Sequence, residues 1–186
     1  MRTALELLGH VSSEGGPLLI IDFSAARNWT GVFGDKQDYQ RLCDRLEASV
    51  ENHGASVEVG GQSAVAWDMP TGTADIWRRS EGSVVLCRVW QPVAVDRSEY
   101  FAALPQRSDA KRLGKVAITG GWLVILWAAE SGAEINTEPK NGKALDLSVG
   151  GAGLVAAMPR GDYVCYHDEI VEGQQSAQRC FVTRQN

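Results

Sequence analysis

Histidine is scarce in this 186-residue chain: only His10, His53 and His167 occur. None stands in a His-Glu-x-x-His or other metal-ligand spacing, so no metal site is expected. The four cysteines, Cys43, Cys87, Cys165 and Cys180, are 44, 78 and 15 residues apart. That spacing excludes a Cys-x-x-Cys zinc knuckle or redox dithiol and leaves buried free thiols as the expectation. No apolar run approaches the roughly 20 residues of a membrane span. Met1 to Gly9 also lacks the basic-then-apolar plan of a secretory leader, which predicts a cytoplasmic protein with no membrane partner. Lys and Arg number 18 against 23 Asp and Glu, a net charge of -5. A nucleic-acid partner is not expected, because binding phosphates calls for a basic face.

Phosphate-binding and nucleophile motifs are missing too. The 20 glycines form neither a Walker loop nor a Gly-x-Gly-x-x-Gly turn, and no Gly-x-Ser-x-Gly elbow occurs. Gly150-Gly151-Ala152-Gly153 runs into Leu154-Val155, which suits a bulge or hairpin turn rather than a helix N-terminus. His167 is followed by Asp168 and Glu169, but consecutive strand residues face opposite ways, so a solvated hairpin tip is expected there. No catalytic residue and no cofactor is nominated, and the chain reads as a non-enzyme.

What is present is repetition. Gly15-Gly16-Pro17-Leu18-Leu19-Ile20-Ile21 is echoed 105 residues later by Gly120-Gly121-Trp122-Leu123-Val124-Ile125-Leu126. Ala66-Trp67-Asp68-Met69-Pro70-Thr71-Gly72 is echoed 89 residues later by Val155-Ala156-Ala157-Met158-Pro159-Arg160-Gly161. The first copy therefore holds 16 extra residues, between Asp22 and Val57. Thr73 to Trp90 and Asp162 to Thr183 both read as strand, polar turn, strand. Two pseudo-repeated β units are expected, one over residues 1–108 and one over 109–186, with the polar segment Gln106 to Lys111 between them, packed as one body.

Pro17 to Asp22 is a continuous apolar run of the kind a doubly buried strand shows. Tyr39, Leu42, Cys43, Leu46 and Val50 recur at helical spacing and predict one amphipathic helix over about 37–53, with Asp35 as its cap and Gly54 as its stop. Short strands follow at Val57–Val59, Ser63–Asp68, Thr73–Arg78 and Ser83–Trp90, the last pair with one wet face. A short helix is expected from Ser98 to Leu104, capped by Asp96 or Arg97 and ended by Pro105. Strands around Val116–Trp127, a polar loop over Ser131–Lys143 and about four strands from Leu145 to Thr183 complete a mostly β fold, α+β by strict count.

Two surfaces are candidates for partner binding. Asp44, Glu47 and Glu51 fall on one line of the helix and form an acidic stripe that suits a basic partner, or else is a solvated face. Trp29 and Trp77 lie in polar contexts and are either core or aromatic anchors for a protein or sugar. Trp122 and Trp127 flank an apolar strand and read as core.

Ser12-Ser13-Glu14-Gly15-Gly16-Pro17-Leu18-Leu19-Ile20-Ile21, then Trp29-Thr30-Gly31-Val32, then Asp38-Tyr39-Gln40-Arg41-Leu42-Cys43 resembles the immunity protein 21 family of bacterial polymorphic toxin systems. Ala64-Val65-Ala66-Trp67, Val84 to Trp90, Leu145 to Leu147 and Gly161-Asp162-Tyr163 are also similar to it. The resemblance implies a mostly β protein whose partner is a cognate protein toxin, neutralised by direct binding without catalysis. Asn52–Ser56 and Ser131–Lys143 depart from any pattern in the family, which leaves room there for partner-specific surface. The alternative from the residues alone is a cytoplasmic β-sandwich that binds a small ligand or sugar through exposed tryptophans.

Overall fold

A computed structural model describes residues 4–48, 53–90, 97–136, 138–147 and 152–185. The chain runs β1 (Leu5–Ser13), β2 (Leu18–Asp22), α1 (Phe23–Ala26), α2 (Asp38–Glu47), β3 (Gly54–Val59), β4 (Gln62–Trp67), β5 (Gly72–Arg79), β6 (Val84–Trp90) and α3 (Ser98–Ala103). It continues through β7 (Lys111–Ile118), β8 (Trp122–Trp127), a 3₁₀ turn at Gly132–Glu134, β9 (Lys143–Asp146), β10 (Ala152–Ala157), β11 (Gly161–Glu172) and β12 (Gln175–Arg184). Two six-stranded sheets result, ordered β1-β5-β6-β12-β11-β7 and β3-β4-β2-β8-β10-β9. The paired strands are antiparallel. The chain is mostly β, as its turn-punctuated apolar runs predict.

Each sheet order is reproduced in reverse when every strand of the first half is exchanged for the strand six places later. Ile20 pairs with Ile125 at the centre of one sheet, and Val85 pairs with Phe181 at the centre of the other. Register slips occur between Leu7 and Gly9 in β1 and between Cys165 and Tyr166, opposite Gly114 and Arg112 of β7. Gly9 and Gly114 are 105 residues apart, the same offset as the double glycines. A bulge lets one strand carry an extra residue and turn it; here the extra residues are Leu8 and Leu113, both buried in the intersheet core. The bulge breaks the alternation of Leu5–Ser13, which is why that segment does not read as a strand in sequence.

The core between the sheets includes Leu18, Ile20, Trp67, Ile76, Leu86, Ile125 and Val182. Since β2 and β8 are buried on both faces, a second apolar layer forms outside their sheet from Leu19, Ile21, Val124 and Leu126, with Trp29 and Leu42 over it. The predicted wet face of the β5–β6 hairpin is covered instead: Trp77, Val85 and Cys87 pack against Phe101 and Ala102 of α3.

Helix α2 is shorter than its apolar periodicity suggests. It begins behind Gln37, which holds a left-handed φ of 51° with no side-chain cap bond, so Asp35 is not its cap. Asp38 serves the entry differently, accepting from the Thr30 amide at 3.0 Å and hydroxyl at 2.7 Å. Helical structure ends at Glu47 with Ala48 in a turn, Val50 lies outside the described residues, and Gly54 opens β3. Helix α3 follows Arg97 without a side-chain cap bond, and Asp96 lies outside the described residues. No helix among the described residues is long and apolar enough to cross a membrane.

Candidate functional site

The acids of the first candidate surface divide by position. Asp44 and Glu47 are exposed on α2, with Gln40 Nε2 donating to Asp44 at 2.8 Å, while Glu51 lies outside the described residues. The tryptophans require a correction. Trp29 is buried and donates its indole N–H to the Ala128 carbonyl at 2.8 Å; Trp77 is buried and donates to Ser98 Oγ at 2.8 Å. Neither ring is available to a partner, because a large apolar body with one polar atom is fully served by a covering loop or helix that supplies one acceptor. The apolar surface beside Trp29 is instead Val32 and Phe33, 50% and 53% exposed. They sit in the turn closed by Thr30 and Asp38, directly ahead of α2.

The cysteines are free, with Cys87, Cys165 and Cys180 buried and Cys43 only partly so. Burial pushes the Cys87 thiol up to about 12 and raises Cys180 as well. These thiols are packing groups, not thiolate nucleophiles. Gly150 and Gly151 lie outside the described residues, and the strand that follows them is β10.

The second site comes from residues that sequence reasoning assigned to a hairpin tip. His167, Asp168 and Glu169 lie inside β11, whose turn to β12 comes at Gly173. His167 and Asp168 are buried. Alternation sends Asp168 outward, beneath α3, and His167 inward against the other sheet. Asp168 faces Arg179 across the β11–β12 ladder and takes its Nε at 2.7 Å and Nη2 at 2.6 Å. The remaining Arg179 protons reach the carbonyls of Phe101, Leu104 and Pro105 at 2.7, 3.0 and 3.1 Å. All five guanidinium donors have acceptors, which is the condition for burying such an ion pair. Asp168 also accepts from the Arg107 amide at 2.9 Å, fixing the connection that leads into β7.

On the inner side, Trp67 Nε1 donates to His167 Nδ1 at 3.1 Å. The His53 ring stacks on His167 with centroids 4.0 Å apart and planes at 20°. Glu169 places Oε1 3.7 Å from His167 Nε2 and 3.9 Å from His53 Nδ1. Burial, and next the neighbouring His53, lower the His167 pKa to about 4, so its ring is neutral at physiological pH. These groups open into a cleft of about 450 Å³ whose other walls include Arg107, Asp109 and Lys111. His53, His167 and Glu169 are close enough for a shared ion, but their protonation and ring geometry oppose one. An indole N–H only donates, so His167 Nδ1 is the acceptor and the neutral ring carries its proton on Nε2, where a metal would need a lone pair. Stacked rings also aim their in-plane lone pairs alongside each other rather than at a common point.

The only sequence signal for this site was the His-Asp-Glu triplet itself. His53 and Trp67 join it through packing between the sheets, and Lys111 as the cross-strand partner of His167. Compared with protein-family models, with curated proteins and with solved structures, the chain finds no match.

Proposed function

We propose that this chain is an immunity protein, which binds a toxic protein of its own cell in the cytoplasm and neutralises it by direct non-covalent contact. The observation that carries the reading is the exposed Val32–Phe33 pair in the turn leading into α2, the helix that also carries the exposed acids Asp44 and Glu47. The family-like stretch from Ser12 to Cys43 includes Val32 and Phe33 and ends one residue before Asp44. An apolar anchor followed along the chain by exposed carboxylates suits a partner face that offers an apolar pocket and lysine or arginine. Apolar burial then supplies affinity and charge supplies approach rate. Inhibition by occlusion asks for a complementary surface of roughly 1,600 Å² in total and for no reactive group.

Co-expression with the toxin encoded beside this gene tests it. The native chain is expected to restore growth and to co-purify with the toxin, and survival without a complex would end the binding mechanism. The double change Val32→Ser, Phe33→Ser is expected to weaken the complex by about tenfold or more, as loss of an interface anchor does. Asp44→Lys with Glu47→Lys is expected to slow association at low salt with little effect on dissociation. If both variants bind as the native chain does, the interface lies elsewhere.

A further inference from the structure

The cleft beside His167 has a donor with no acceptor. His167 Nε2 is shielded from solvent and has no hydrogen-bond partner among the described residues, although the Trp67 bond on the opposite nitrogen fixes a proton there. An unpaired buried donor is unusual and unfavourable. The nearest acceptor, Glu169 Oε1 at 3.7 Å, is beyond hydrogen-bond range and is drawn toward Gln178, whose Nε2 donates to it. The gap between N–H and carboxylate is therefore polar at both ends, with no acceptor for the N–H and Gln178 as one donor on the carboxylate.

The group that completes such a gap must accept from one side and donate to the other. A metal does neither. A carboxylate or phosphate could accept from His167 but would meet the Glu169 charge, and an ammonium would meet the His167 proton. A hydroxyl does both. Hydrogen bonds of roughly 2.9 Å and 2.7 Å span the separation with the hydroxyl oxygen at the apex of a triangle. The rest of the lining agrees: Arg107 and Lys111 are matched by Asp109 and Glu169, and Asp168 is neutralised by Arg179. A cleft with balanced charge gives little net attraction to an ion and many hydrogen-bonding positions to a neutral polar molecule. Its volume, about 450 Å³, lies in the range of small-molecule sites.

We propose that this cleft binds a neutral polyhydroxy molecule, a monosaccharide or a similar polyol, with one ligand hydroxyl bridging His167 Nε2–H and the Glu169 carboxylate. Arg107, whose Nε and Nη2 are held by Asp109 at 2.8 Å each, offers its remaining Nη1 to a neighbouring hydroxyl, and the stacked His53 ring closes the side of the bridge. His167 and Glu169 are binding groups here, and no chemistry is assigned to them. The site is independent of the toxin-binding surface, so either proposal can fail alone.

The test is long-range proton–nitrogen NMR of the full chain labelled at histidine, titrated separately with D-glucose, D-ribose and glycerol. At least one of these is expected to shift the His167 Nε2 signal saturably while Nδ1 keeps its acceptor pattern. Glu169→Ala, at an exposed position whose change leaves the amide spectrum folded, is expected to weaken that binding by about tenfold or more, the loss of a charge-assisted hydrogen bond. Linear, unsaturable shifts with all three probes would mean that the gap holds water only, and would overturn the proposal. So would equal binding by Glu169→Ala. A stoichiometric Zn²⁺ titration that removes the Nε2 proton would overturn the tautomer on which it rests.

Discussion

At the scale of single residues, His167 and Arg179 show how a polar side chain is kept inside a β-sandwich. Arg179 is accommodated because each donor meets an acceptor, and its partner Asp168 is supplied by the cross-strand register. His167 is accommodated by staying neutral: Trp67 occupies one nitrogen, and burial with His53 alongside disfavours charge. The charged and titratable groups that act on it are His53, Glu169, Asp168 on the other face of the strand, and Lys111. The first and last oppose its protonation, and the two acids favour it without prevailing. The unfolded chain takes up a proton on this residue near pH 6.5, whereas the native one does so only near 4. Acid therefore favours unfolding across that window, by on the order of 3 kcal/mol in total. Stability measured by urea unfolding is expected to fall as pH drops through the window, and His167→Gln, which can still accept from Trp67, is expected to flatten that part of the curve. An unchanged slope in the variant would mean that His167 titrates normally in the native state.

At the scale of elements, short pieces depend on side chains reaching from elsewhere. The carboxylate of Asp22 caps α1 through the Ser24 amide and also bonds the Ser24 hydroxyl. It further accepts from the Thr119 amide at 2.8 Å, the Thr119 hydroxyl at 3.2 Å and the Gly120 amide at 3.2 Å. One buried group thus ties the end of β2 to the β7–β8 turn. Burial alone would raise its pKa, but these bonds outweigh burial and hold the carboxyl below its ordinary range. Its contribution is present above the unfolded carboxyl pKa and is lost as pH falls through the lower native value. Asp22→Ala leaves several donors unsatisfied at once, and a loss of about 2–4 kcal/mol is expected by urea unfolding at neutral pH. A change below about 0.5 kcal/mol would show that the donors find other acceptors. Helix α3 is secured similarly: Arg79 donates to the carbonyls of Ala103 and Leu104 at 3.1 and 2.7 Å, and Arg179 serves Phe101 and Leu104. Those carbonyls are the orphans of a helix C-terminus. The position of α3 follows from the two arginines beneath it as much as from its own sequence.

At the scale of the whole molecule, both sheets are continuous across the middle of the sequence, since β2 pairs with β8 and β6 with β12. A fragment covering residues 1–108 would expose the edges of β2 and β6, both of which lie inside sheets in the native chain. An unpaired central strand is a template for association. The fragment is therefore expected to run as a dimer or larger species in size-exclusion chromatography, because a second copy can offer β2 and β6 where β8 and β12 are missing. A folded, monomeric fragment would mean that the halves are independent units. Apolar runs, turn residues and the offset echoes made most strands and the core of β2 and β8 legible in the sequence, because burial selects composition directly. Strand β1 was hidden because its bulge breaks alternation. The candidate surfaces were only partly legible: the acids of α2 could be placed on a helix face, but the burial of Trp29 and Trp77 depends on coverage by distant segments. By itself the sequence determined a mostly β chain with an amphipathic helix and no spaced catalytic or metal motif, since local pattern encodes period and composition. Tertiary structure alone decided that His53, Trp67, Lys111, His167 and Glu169 share one cleft, because they are brought together by register and sheet packing between strands far apart in the chain.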